Sequence, residues 1–497
     1  MVESDPSTPI ATIISSIQTS MGYNTTFRKA WLAKQQAIEN VYGNWEQSYN
    51  RLSCLLQAMQ TYLPGFVYKL KTSPITNGEE VVENQQHFRR VFWTFKPCID
   101  GFPFCKPIVQ VDGTFLYGRY RGTLLVAVAQ DGRNNIFPIA FAIVEGETVE
   151  ACFFFLKNLR THVTPQQNLC LMSDHHNSIS TTFNRPNSGW TEGNCVQVFC
   201  IRHIAQNFTK RFKNTTLKKD LVNMAYALTE PRCNYYYNII REDNPKAAAW
   251  VDQIPREQWC LAYDQGRRWG HITTNLAEAI NSVLKKTRNF PISSIVLATY
   301  TRCNTYFTKR GRKITAMASA GHVYSEATNF LQDADSKSNT HHVVEFDRNT
   351  TRFRVEEMVN PKEVRPAGKF VVRLDERWCD CGKFQKIHLP CSHVIAACKH
   401  AHHDFSMYIS PHYRLDVIMK VFDNLFGELR HEEYWPPYQG PQVWPHPTTK
   451  RSERGRPKSN RIRTEMDIKE GRQSKKCSFC RTEGHTRNHC PNNPTLR

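Results

Sequence analysis

From about residue 88 to residue 144 the chain runs through four short apolar segments, VFWTF, IVQVDGTF, TLLVAVAQ and NIFPIAFAIV, broken by the turn-forming GRYRG and DGRNN. Short runs rich in Val, Ile and Phe between Gly- and Asn-bearing turns read as a meander of strands. IFPIAFAIV (136–144) reads as a buried strand pair or turn segment; no stretch approaches the ~18 apolar residues of a membrane span. A helix follows in VEACFFFLKNLRTHV (149–163), then the strand NLCLMSD, the short helix SISTTFN and the strand NCVQVFC (194–200). Residues 201–268 are mostly helical around NYYYNIIRE, and ITTNLAEAINSVLKKTR is expected to be one helix with a Thr-rich cap, stopped before Pro291. Strands interleaved with helices make this an α/β chain.

Upstream, residues 7–64 carry apolar residues at three- and four-residue intervals up to a Pro-Gly stop, so 1–87 is expected to be a helical region preceding a core over 88–300. Downstream, HHVVEFD, TRFRVEEM and KFVVRL place β-like runs between 340 and 375, inside a post-core region over 301–410. Residues 411–449 read as a linker, Pro-rich from about 435 and expected to be largely unpacked. A basic segment, 450–476, and a small Cys/His module, 477–490, complete the chain. The formal net charge of +20 calls for a polyanionic partner, most economically nucleic acid. The start, MVESDPSTP, lacks the apolar segment of a secretory signal, so the 17 cysteines are not read as a disulfide framework. In a reducing compartment, clustered Cys and His mean metal.

Three acids occupy distinctive settings. Asp112 in QVDGTFLYG and Asp174 in LCLMSDHHNSI each follow an apolar run, which puts a carboxylate at or near the exit of a buried strand. Glu278 lies in HITTNLAEAINSVLKK, where Leu276, Ile280 and Leu284 recur every four residues and Glu278 projects from a neighbouring helix face. Two strand-end aspartates and a helix-borne glutamate can converge on a pair of Mg²⁺ or Mn²⁺ ions, which want hard oxygen ligands. Such a pair, about 3.5–4 Å apart, clamps the attacking and leaving oxygens of an in-line phosphoryl transfer. A single acid in so long a chain is ordinarily a solvated surface group; the order strand, strand, helix distinguishes these three.

Two ligand sets have zinc spacing. Cys379 and Cys381 on a strand, with Cys391 and His393 at a helix start, supply four ligands and leave no open position, so this site reads as structural. Cys477, Cys480, His485 and Cys490 follow Cys-x2-Cys-x4-His-x4-Cys, the spacing of a zinc knuckle, a module that commonly contacts single-stranded nucleic acid. Between the basic residues, Arg454, Gly455, Arg456, Pro457 and Lys458 have the core of an AT-hook, an extended peptide suited to a narrow A·T minor groove. From 450 to 476 there are eleven Lys/Arg against four Asp/Glu, a balance that also suits a nuclear import signal. Cys200 and His203, in FCIRHIAQNF, read without context as a packed thiol and a satisfied helix histidine.

Together these residues resemble the Mutator-like (MULE) family of plant DNA transposases. The resemblance is carried by VDGTF, the strand ending in SD, CIRHIAQNF and WGHITTNLAEAINSVLKKTRNFPI, then by a SWIM-type finger (CDC…CSH), GRPK and the CCHC knuckle. AWLAKQQAIENVYGNWEQSY is similar to the helical region preceding the family's core. The resemblance implies an RNase H-like core whose DDE triad is Asp112, Asp174 and Glu278, with Cys200 and His203 near the start of a helical insertion over about 201–268. It also implies metal-dependent DNA strand cleavage and transfer in the nucleus, by subunits acting together on two DNA ends. Two features depart from the pattern. Members usually carry an N-terminal zinc-containing DNA-binding module, whereas no Cys or His cluster lies upstream of the core here, which suggests truncation; and HHNSIS follows Asp174 where a basic residue and a Gly are commoner. Related plant transcription regulators share the core and the finger, so a DNA- and zinc-binding protein without catalysis is the alternative expectation.

Overall fold

The computed structural model describes residues 8–324, 327–347, 351–358 and 368–451, together with Val2. The AT-hook-like residues 454–458 and the knuckle ligands 477–490 lie outside them. Three helices lead, α1 (Ile10–Met21), α2 (Phe27–Tyr42) and α3 (Gln47–Tyr62). Thr26 caps α2, its hydroxyl accepting from the Lys29 amide at 3.3 Å, and α3 buries Leu52, Leu55, Leu56 and Met59. Next comes an antiparallel hairpin of β1 (Val67–Asn77) and β2 (Glu80–Thr94), with Asn77 opposite Glu80. Helix therefore does not extend over the whole of 1–87. β1 is an edge strand with no fully buried position, and Lys69, Lys71 and Pro74 break up its apolar alternation. The Asn77-Gly78 pair is the legible signal, and Gly78 takes the positive φ, 65°, that a two-residue hairpin loop requires.

After α4 (Lys96–Gly101), the strands β3 (Ile108–Phe115), β4 (Thr123–Gln130) and β5 (Ile136–Val144) form the expected meander, with IFPIAFAIV as a single strand. Then follow α5 (Val149–His162), β6 (Cys170–Ser173), α6 (Asn177–Phe183) and β7 (Val196–Phe199). The strand order is β1-β2-β5-β4-β3-β6-β7. β3 pairs antiparallel with β4 but parallel with β6, and β6 pairs parallel with β7. The chain then leaves the sheet for α7 (Ile201–Phe212), α8 (Thr215–Tyr226), α9 (Glu230–Asp243) and α10 (Pro245–Val251), which share a separate core around Phe208, Leu221, Met224 and Trp259. It returns in α11 (Asn275–Val283) and the 28-residue α12 (Ile292–Ser319). α11 is shorter than its sequence suggests: it ends at Val283, and Thr274 at its start makes no side-chain capping bond. Instead the buried Arg288 turns back to donate to Thr114 Oγ1 of β3. Every residue of β4 is buried, so the sheet is covered on both faces. Phe92 meets Phe155 of α5, while its neighbour Trp93 donates its indole N–H to Thr299 Oγ1 of α12 at 3.0 Å.

The post-core region holds α13 (Ala327–Ser338), β8 (His341–Asp347), β9 (Arg352–Glu357), β10 (Lys369–Arg373), β11 (Trp378–Cys379), α14 (Lys383–Ile387) and α15 (Ser392–His400). The four strands form an antiparallel sheet in the order β11-β10-β9-β8, and α15 packs on it through a small core of Phe353, Val355, Val372, Val394 and Ala397. This unit is joined to the segment preceding α11 by a buried ion pair, Lys386 Nζ to Asp264 Oδ1 at 2.8 Å. Gly266, at a φ of 78°, lies so close that a Cβ there would sit 2.1 Å from the Gln385 carbonyl oxygen. Residues 411–449 are not an unpacked linker. α16 (Leu415–Val421) buries Leu415, Ile418 and Val421 in the main core, and β12 (Gln442–Trp444) adds to β2 as a parallel strand with Val443 buried. The prolines punctuate aromatic and aliphatic anchors, which composition alone does not distinguish from spacer.

Candidate active site and zinc centre

The parallel register of β3 and β6, with Gln110 opposite Met172, carries Asp112 and the residue just after β6, Asp174, to the same end of the sheet. α11 packs against β3 and β4 and presents Glu278 from its first turn. Asp112 Oδ2 accepts from Asn281 Nδ2 at 2.8 Å. Burial pushes the Asp112 carboxyl up to about 7; the charges of Asp174 and Glu278 add to the rise, and His203 opposes it. One carboxylate oxygen of Asp174 is buried without a hydrogen-bond partner. Glu278 is gripped by Arg202 of α7, Nη1 to Oε2 at 2.9 Å. The three acids thus share one electrostatic neighbourhood, although their oxygens do not all lie within 4.8 Å of one another.

Cys200 and His203 join this neighbourhood. The Cys200 thiol, fully buried, accepts from the Thr274 amide at 3.3 Å, tying the start of α7 to the start of α11. Burial alone would lower the His203 value; the hydrogen bond to Cys200, then the negative charges of Cys200, Asp174 and Asp112, hold it up at about 9. Sequence reasoning missed Glu147, Asn281 and Arg202. Glu147 follows β5 closely, and the same rule of an acid at a strand exit could have found it. Burial and the charge of Asp174 raise its carboxyl, and a Cβ at Gly113 would stand 2.6 Å from its Oε1. Asn281 lies three residues after Glu278 on one helix face, a spacing that was readable. Arg202 belongs to the insertion, and nothing local announces its partner.

At the second site, β11 brings Cys379, the turn after it Cys381, and the start of α15 Cys391 and His393. Cys379 Sγ is 3.5 Å from His393 Nδ1, Cys381 Sγ is 3.6 Å from Cys391 Sγ, and Cys391 Sγ is 3.9 Å from His393 Nδ1. All four ligand atoms lie within 4.8 Å of one another. Zn–S bonds of about 2.3 Å and Zn–N bonds of about 2.0 Å give tetrahedral edges of about 3.5–3.8 Å, so the set fits one zinc. Hydrogen bonds from Cys379 and Cys391 already hold the Cys381 thiol well below its usual range. A thiolate is what a zinc ligand must be.

Residues 108–207, from the start of β3 into α7, match the family described as MULE transposase domain, and residues 370–402 match the SWIM zinc finger. The first span holds Asp112, Asp174, Cys200 and His203 and ends before Glu278; the second holds all four ligands of the zinc centre. Among curated proteins no match is found. No described helix is long and apolar enough to cross a membrane.

Proposed function

We propose that this chain, with its MULE transposase domain and SWIM zinc finger, is a Mutator-like transposase whose RNase H-like core cleaves and joins DNA strands through Asp112, Asp174 and Glu278. The observation that carries this reading is the crowding of three carboxylates from two strands and a helix at one end of the sheet, where burial and like charge raise Asp112 to about 7. Such crowding is unfavourable without a cation, and hard oxygen ligands suit Mg²⁺ or Mn²⁺. The strand order supports the reading, since the β5-β4-β3 meander continues into two parallel strands and the first two acids stand on the pair where the sense changes. When bound, the divalent ions would activate the attacking water or 3′-hydroxyl and neutralise the leaving oxygen. The chain's own part is positioning: the β3–β4 ladder fixes Asp112, the end of β6 places Asp174 beside it, Asn281 orients one oxygen of Asp112, and α11 sets Glu278. No covalent enzyme intermediate is required. Nicking or strand transfer with Mn²⁺ is expected from the purified chain and is expected to vanish in Asp112→Ala; undiminished activity in that variant would overturn the assignment.

DNA is the partner on this reading, held in part by the basic residues after 450, including Arg454, Gly455, Arg456, Pro457 and Lys458. The nucleus is the place of action, and two or more subunits act on the two DNA ends. The knuckle at Cys477, Cys480, His485 and Cys490 would hold a second structural zinc and touch single-stranded nucleic acid. Arg202 favours a second reading, a transposase-derived zinc- and DNA-binding regulator without catalysis. Its guanidinium, 2.9 Å from Glu278, neutralises an acid that a metal would need. Calorimetric titration with Mn²⁺ separates the two: binding that Asp112→Ala removes favours the transposase, and no binding to the wild type favours the regulator.

A further inference from the structure

We propose that Glu357, outside the matched finger, is a positioning residue of the zinc centre, holding His393 by Nε2 so that Nδ1 is presented to the three cysteine sulfurs. The inference rests on reading Cys379, Cys381, Cys391 and His393 as a zinc site. His393 Nε2 lies 3.0 Å from Glu357 Oε1, and both side chains are nearly buried, at 5% and 7% exposure. The other ring nitrogen, Nδ1, is the one facing Cys379 and Cys391, at 3.5 and 3.9 Å. A neutral imidazole carries one proton, and a nitrogen that ligates zinc cannot carry it. The proton therefore sits on Nε2 and is donated to the carboxylate, which fixes the tautomer and makes Nδ1 a stronger donor to the metal.

Two rings complete the hold. Phe370 stacks on His393 at 4.2 Å and 25°, and His341 stacks on it at 5.1 Å and 22°. His341 stands directly opposite Glu357 in the β8–β9 register, and Phe370 comes from β10, on the other side of β9. Three adjacent strands thus supply a ring, a carboxylate and a ring beneath one ligand. The stacking sets the plane of the imidazole, while the hydrogen bond decides which edge faces the sulfurs. His341 Nε2 is also 3.0 Å from Ser392 Oγ, one residue before His393. The zinc module consequently begins at β8, well upstream of residue 370, and the metal would pin α15 to the sheet and close the sulfur turn together.

The test measures zinc affinity by competition with a chromophoric chelator in the full-length chain carrying Cys480→Ser, which silences the C-terminal CCHC set. Glu357→Ala is expected to weaken zinc about 10- to 100-fold, and Glu357→Gln, which still accepts from Nε2 but without charge, to fall in between. Long-range ¹H–¹⁵N spectra of the zinc-loaded parent should show His393 protonated on Nε2 and bound through Nδ1, with that signature blurred in Glu357→Ala. Unchanged affinity in both variants, or zinc on Nε2, overturns the proposal. If Glu357→Ala does not fold, Glu357→Gln decides alone: affinity equal to the parent overturns it, and a severalfold loss supports it. Absence of zinc from the parent would instead defeat the reading of the four ligands.

Discussion

A carboxyl raised to about 7 by burial and two like-charged neighbours, as at Asp112, is a place where function opposes stability. With its value in the fold above the ordinary 3.8, the folded chain binds this proton more tightly than the unfolded chain does. The group therefore costs stability as pH rises from about 4 to about 7, and the cost is constant above that. Asp112→Asn should stabilise the metal-free protein at pH 8 by about 1–2 kcal/mol, a discounted share of the shift. At pH 5, where the cost has only begun to build, the gain should be less than half as large. Thermal unfolding at the two pH values in the presence of a chelator checks this, and equal effects at both would show that the acids do not burden one another. Asp112 and Asp174 were conspicuous in sequence because each closes an apolar strand run, and Glu278 because it stands beside a four-residue apolar repeat. Glu147 obeys the same strand-exit rule, whereas Arg202 and the turn of His203 toward the acids were not legible, since both depend on the insertion folding back over the sheet.

Among elements, the junction between the finger and the segment before α11 contains a buried ion pair. Lys386 and Asp264 are 5% and 1% exposed. Asp264 also accepts from the amides of Gly266 at 2.9 Å and Arg268 at 3.3 Å. Lys386→Met leaves that carboxylate buried without its cation and is expected to cost about 3–5 kcal/mol. Lys386→Met with Asp264→Asn should recover much of the loss, because the two residues share one interaction. Denaturant unfolding of the single and double variants measures it; additive losses would mean that the pair is not coupled. Element types were readable where period and length agreed, as in β3 to β5 and the α7–α10 insertion. They were not readable where a strand lay at an edge with polar side chains, as β1 does, or where single buried anchors such as Val443 stood among prolines.

For the molecule as a whole, its positive charge is divided between fold and tail. Lys450 Nζ lies 3.5 Å from Glu46 Oε1, and Arg451 donates from Nε to the Gly118 carbonyl at 2.9 Å and from Nη2 to the Leu116 carbonyl at 2.5 Å. These two cations belong to the packed structure, so the informative deletion starts at residue 454. Removing 454–497 should leave the core's unfolding unchanged and flatten the salt dependence of DNA affinity by about 0.9 in log–log slope for each phosphate that is no longer neutralised. Salt titrations of the intact and shortened chains compare the two, and identical slopes would leave those residues with an import role alone. The grip of Arg451 has a kinetic side as well. Its backbone amide also donates to the Arg119 carbonyl at 3.0 Å, so position 451 is anchored only a few residues beyond the strand that bears Asp112. DNA held by the basic residues of the same polypeptide would meet the acids as an intramolecular partner, at an effective concentration independent of how dilute that DNA is in solution.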